Sequence, residues 1–138
     1  MDSTSFARLS QQIAFIMEVD KLKNILRRSY ITCVDRRENS AEHSWHIALT
    51  ALTLAEHANT PVDVGHVIKL LLVHDLVEID AGDTFVYDSV AKLDQWDREL
   101  LAAQRIFGLL PADQRDVYLQ LWHEFEAFEP KRFFKVQH

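Results

Sequence analysis

Apolar residues recur along this chain at intervals of three and four, the spacing that lines one face of an α-helix. The strict alternation of a half-buried strand is scarcely visible. From Phe6 to about Leu26, the positions Leu9, Ile13, Ile16, Met17, Leu22 and Leu26 predict a first amphipathic helix, broken near Asp20. The interval RRSYITCVDRRENS (Arg27 to Ser40) is polar and mixed, and reads as a loop carrying the cations Arg27, Arg28, Arg36 and Arg37. Ser40 then reads as the N-cap of a second helix, AEHSWHIALTALTLAEHA, with Glu42 and His43 in its first turn and with Asn39 as a competing cap. After the turn NTP (Asn59 to Pro61), Asp63 caps a third helix, DVGHVIKLLLVHDLVEI. A fourth helix is expected from about Ser89 to Leu110, with Leu93, Trp96, Leu100, Ala103 and Phe107 on one side. Pro111 opens a fifth, ADQRDVYLQLWHEFEAF. Only three Gly and three Pro interrupt this pattern, which predicts an all-α fold: one compact helical bundle of about five to six helices.

Composition narrows the partners more than the fold. The 138 residues suffice for a single domain, and 48% apolar with 26% charged residues is ordinary for a globular protein. A net charge of -6 argues against a nucleic-acid polymer as partner, because that backbone calls for clustered Lys and Arg. Cys33 is alone, so no internal disulfide is available and a reducing, cytoplasmic setting is expected. The start, MDSTSFARLSQQ, lacks the basic and apolar regions of a signal peptide, and no apolar run reaches membrane-spanning length; no membrane partner is expected.

The stretch LLVHDLVEIDAGD (Leu71 to Asp83) carries the candidate chemistry, because it begins as a buried helix and ends with His74, Asp75, Glu78, Asp80 and Asp83. His74 and Asp75 project about 100° apart on a helix and could grip one ion from neighbouring directions. Antiparallel packing of the second and third helices would bring His43 to them. Two imidazoles and a carboxylate suit Mn, Fe, Co, Ni or Zn better than Ca, which prefers oxygen cages. His74 taken alone reads equally as a hydrogen-bonded core histidine. Glu78 shifts the weighing, since at i+4 from His74 and i+3 from Asp75 it shares their helix face and could hold a water. Asp80 and Asp83 would crowd the area with further negative charge, which is costly without a cation. Elsewhere, His46 reads as a supporting or surface residue, His57 and His66 as solvent-facing, and His123 as a surface or helix-partner residue rather than one that faces the site. Trp45, Trp96 and Trp122 read as core or interface aromatics, and Arg36 and Arg37 as partners of Glu38 and Glu42.

RRENSAEHSW (Arg36 to Trp45), LLVHDLVEIDAGDT (Leu71 to Thr84) and the later FGLLPADQ and LWHEFEAF resemble the HD-domain metal-dependent phosphohydrolase superfamily, in particular its small branch that includes 5'-deoxynucleotidases. The resemblance implies a single HD domain over 1–138 that hydrolyses a small phosphomonoester, a nucleoside or deoxynucleoside 5'-monophosphate. It implies one divalent transition metal (Mn, Co, Fe, Ni or Zn, with Mg admissible) on His43, His74 and Asp75. Glu78 corresponds to the residue that orients or deprotonates the attacking water, and Asp83 to a supporting active-site acid. One of Arg27 and Arg28 matches the phosphate-binding arginine. Family members of this size also pair, so a homodimer is expected, through the fourth and fifth helices. The pattern departs at the end: the family's fourth ligand is an Asp on a later helix, and here no Asp follows Asp116. The part from about 129 to 138 is therefore read as atypical or truncated, with His138 as a substitute ligand. A non-catalytic HD-fold binding module, or an inactive fragment, is the alternative expectation.

Overall fold

A computed structural model of the chain describes residues 2–82 and 94–128. Helix α1 (Ser3–Val19) starts where the Asp2 carboxylate accepts from the Ser5 N–H at 2.7 Å, and it tightens into a 3-10 turn at Asp20–Asn24. The expected break near Asp20 is therefore a narrowing of the helix. Ile25 turns extended, and the chain enters a two-stranded antiparallel hairpin, β1 (Leu26–Tyr30) and β2 (Arg37–Asn39), pairing Leu26 with Asn39 and Tyr30 with Arg37. This corrects the expectation of a loop over Arg27 to Ser40. Both strands are short, polar and largely exposed, so no apolar alternation announced them.

Asn39, not Ser40, caps α2 (Ser40–Leu54). Its side chain accepts from the Glu42 N–H at 2.9 Å while Glu42 accepts from the Asn39 N–H at 3.2 Å, a reciprocal capping box. Ser40 is thereby released from capping and is fully buried. Asp63 caps α3 (Val64–His74) as expected, accepting from the His66 N–H at 3.2 Å. The third helix does not continue through Ile79. It ends at His74, turns through Asp75 to Val77, and resumes as the short α4 (Glu78–Ala81). Helices α5 (Gln95–Phe107) and α6 (Ala112–Ala127) follow, the latter opened by Pro111; the expected start of the fourth helix at Ser89 lies outside the described residues.

Helix α2 packs on α3, α3 on α6, and α4 on α5. The core lies between them, around the fully buried Ile106, Phe107 and Trp122, with Phe15, Leu22, Val73, Leu76, Val77 and Leu121. The all-α reading therefore holds, with one small hairpin added. Helix α1 departs from expectation in its packing: it buries Phe15 but leaves Phe6, Ile13, Ile16 and Met17 between 49% and 69% exposed. Among the described residues no helix is long and apolar enough to cross a membrane.

Candidate functional site

The break between α3 and α4 brings the charged residues together. At the last position of α3, His74 Nδ1 lies 2.6 Å from the Leu71 carbonyl, which can only accept, so Nδ1 carries a proton and the ring is held with Nε2 turned to Asp75. That Nε2 sits 3.0 Å from Asp75 Oδ1. The other oxygen, Asp75 Oδ2, is buried and finds no hydrogen-bond partner among the described residues, with Arg27 Nη1 at 3.7 Å. Burial pushes the Asp75 carboxyl up, but its contact with His74 and the Arg27 charge outweigh that and hold it below the usual carboxylate range.

His43, in the first turn of α2, is half-buried and lies 3.0 Å through Nδ1 from Glu38 Oε1. Glu38 as acceptor fixes the Nδ1–H tautomer and turns Nε2 outward, the way a carboxylate behind a ligating histidine sets its ring. Burial and then the Arg27 charge lower the His43 pKa, and the charges of Asp75 and Glu38 only partly oppose them. Its ring is therefore neutral, with a lone pair to offer, near neutral pH.

Glu78 opens α4, so the expectation that it shares a continuous helix face with His74 is corrected. It reaches the site another way: the buried Ser40 Oγ donates to Glu78 Oε2 at 2.6 Å. The hairpin sets the two arginines apart. Arg27 faces inward, with its guanidinium 3.7 Å from Asp75, 3.8 Å from Glu78 and 3.9 Å from Glu38, whereas Arg28, the next residue of the strand, is exposed. Three carboxylates thus surround one guanidinium.

Asp80 does not crowd this cluster. It turns to α5, where Arg105 grips both its oxygens and also reaches Glu18 at 2.9 Å, an arrangement that raises the Arg105 pKa. Asp83 and His138 lie outside the described residues. His46 and His57 are exposed, as is His123, while His66 is not a free surface residue: its Nε2 lies 2.7 Å from Glu124 and ties α3 to α6. Arg36 pairs with Glu42 at 2.9 Å, as expected. Among the described residues, no three His, Cys, Asp or Glu side chains converge closely enough to hold an ion between them. Glu38 and Ser40 are the site residues that sequence reasoning missed. In the sequence Glu38 reads as a partner of Arg36 and Arg37 and Ser40 as the helix cap, and only the hairpin and the α3–α4 break reveal their place at the site.

A helical bundle that sets an adjacent His and Asp at a helix break, with a further His from the preceding helix, defines a class of protein, the HD domains. The chain belongs to that family: the HD domain family model matches residues 19–133. Among curated relatives, the Homo sapiens 5'-deoxynucleotidase HDDC2 is 30% identical over 116 residues, covering 83% of this chain and 55% of that protein. A 5'-deoxynucleotidase of Enterobacter sp. (strain 638) is 28% identical over 134 residues, covering 91% of this chain and 67% of that one. A crystal structure of a predicted metal-dependent phosphohydrolase from Magnetospirillum magnetotacticum MS-1 superposes with a TM-score of 0.80 at 54% identity, covering 89% of this chain and 62% of the other. The chain spans little more than half the length of the human relative.

Proposed function

We propose that this chain is a metal-dependent phosphohydrolase that cleaves a small phosphomonoester, a nucleoside or deoxynucleoside 5'-monophosphate. The observation that carries this reading is the meeting of His74 Nε2 and Asp75 Oδ1 at 3.0 Å at the break between α3 and α4, an imidazole and a carboxylate close enough to share one ion. Asp75 Oδ2 adds to the fit: Arg27 stands 3.7 Å away, but no hydrogen-bond donor among the described residues reaches this buried oxygen, which leaves it open to a cation. His43, His74 and Asp75 would hold one divalent transition metal (Mn, Co, Fe, Ni or Zn, with Mg admissible).

When bound, such a cation acidifies water and draws charge from the phosphate. The chain's own groups do the rest: Glu78, steadied by Ser40, accepts the proton of the attacking water, and Arg27 grips phosphate oxygens. Asp83 keeps the supporting acidic role that the resemblance implies. That two relatives are named 5'-deoxynucleotidases supports the substrate class. Replacing Glu38 by Gln is expected to weaken metal binding about 10- to 100-fold in a metal titration, because the His43 tautomer loses its anionic partner.

The test is phosphate release from a panel of nucleoside and deoxynucleoside 5'-monophosphates with Mn, Co, Mg or a chelator. Release with metal that stops with chelator is expected. No release with any metal overturns the reading in favour of a second one, a binding module that keeps the HD fold without hydrolysis. One observation favours that rival: no three donors among the described residues close around a single point.

The chain is further proposed to act in the cytoplasm as a homodimer. The exposed apolar ridge of α1 supports pairing through that helix rather than through the fourth and fifth. The lone Cys33 suits a reducing compartment.

A further inference from the structure

Beside the charged cluster, a cavity of about 660 Å³ opens between the hairpin and the first turns of α2. Glu38 and His43 line both the cavity and the cluster, so whatever fills the one is continuous with what reacts at the other. The remainder of the wall is of a different kind. Trp45 is 63% exposed and Tyr30 60% exposed, and neither belongs to the core. The Trp45 ring lies 5.9 Å from that of His46 with a tilt of 32°, and Tyr30 faces the same space from the hairpin side. Large rings left in water around a roomy cleft are poor packing, but they suit a planar ligand. Arg36 and Glu42 complete the lining, held together at 2.9 Å. They set guanidinium donors next to carboxylate acceptors, the mixture that a heterocycle's edge satisfies.

We propose that this cleft seats the heteroaromatic base of the phosphomonoester, with Trp45 and His46 as its stacking surface and the Arg36–Glu42 pair as its hydrogen-bonding edge. The proposal rests on the phosphomonoester reading and adds to it the residues that choose the organic half of the substrate. Arg27, which lies in the charged cluster outside the cavity wall, then marks the phosphate end and Trp45 the base end, with Glu38 common to the cluster and the wall. The cleft selects a nucleotide over a sugar phosphate of the same charge.

Binding and turnover separate this idea from the one it rests on. Calorimetry with chelator present compares deoxyadenosine 5'-monophosphate with deoxyribose 5-phosphate, on the parent and on Trp45→Ala. The parent is expected to bind the nucleotide about 10- to 100-fold more tightly, the scale of one base–aromatic stack, and Trp45→Ala to remove most of that ratio. Trp45 is exposed, so the variant should melt at the parent temperature, which circular dichroism checks. Equal affinities in the parent, or a ratio that survives both Trp45→Ala and Trp45→Ala combined with Tyr30→Ala, overturn the base site. An intact ratio without phosphate release under any metal overturns the hydrolase and leaves the base site standing.

Discussion

Glu78→Gln is expected to release phosphate from a nucleoside 5'-monophosphate about two to four orders of magnitude more slowly than the parent, the range a positioned proton acceptor contributes. The amide keeps the shape of the carboxylate and can still accept from Ser40 Oγ, which holds the native side chain at 2.6 Å. What it cannot do is take a proton from water. Metal affinity should therefore stay close to that of the parent, since Glu78 is not among the three proposed ligands. Asp75→Asn gives the opposite signature: it removes a charge whose oxygen sits 3.0 Å from His74 Nε2, and it should lose the metal and the turnover together. Single-turnover rates and metal titrations on the two variants distinguish these roles. A Glu78→Gln enzyme with the parent rate would show that the water is activated elsewhere.

How much of this site was readable beforehand depends on whether its cause was local. Caps and apolar periodicity are local, and they placed the helices around His43 and His74 and chose Asp63 as a cap. The turn at Asp75 to Val77 has a tertiary cause. Asp75, Leu76 and Val77 are all buried in succession, and three consecutive residues cannot share one helix face. The run LLVHDLVEI has good helix spacing throughout, so nothing in it signals that both sides are wanted inside. The choice of Arg27 over Arg28 follows from strand alternation, and was hidden only because the hairpin was hidden. Asp80 was assigned to the acidic cluster for want of Arg105, its partner 25 residues away. Pairings at that separation leave no trace in spacing. The pairs that mattered chemically, Glu38 with His43 and Ser40 with Glu78, lie on both sides of this line: one spans five residues and the other 38.

The fold makes its own demand at Trp122, where Trp122→Ala is expected to cost about 3–5 kcal/mol of stability, read from the denaturant midpoint at unchanged slope. The side chain is wholly buried in α6, and its ring stacks on Trp96 with centroids 5.3 Å apart and 16° between planes. Removing it empties a space in the core shared by α5 and α6, where Ile106, Phe107 and Leu121 are already packed and Ala102 and Ala103 are too small to fill it. The indole nitrogen sharpens the test. Trp122 Nε1 has no hydrogen-bond partner among the described residues, so Trp122→Phe discards no bond and should cost clearly less than the alanine variant. Trp96 is 39% exposed, and its truncation should also fall below that of Trp122. If Trp122→Phe proved as damaging as Trp122→Ala, the nitrogen would have a partner and the stack would not be what holds α6 in place. If Trp122→Ala cost under about 1 kcal/mol, the ring would not be packed as the buried centre of the bundle.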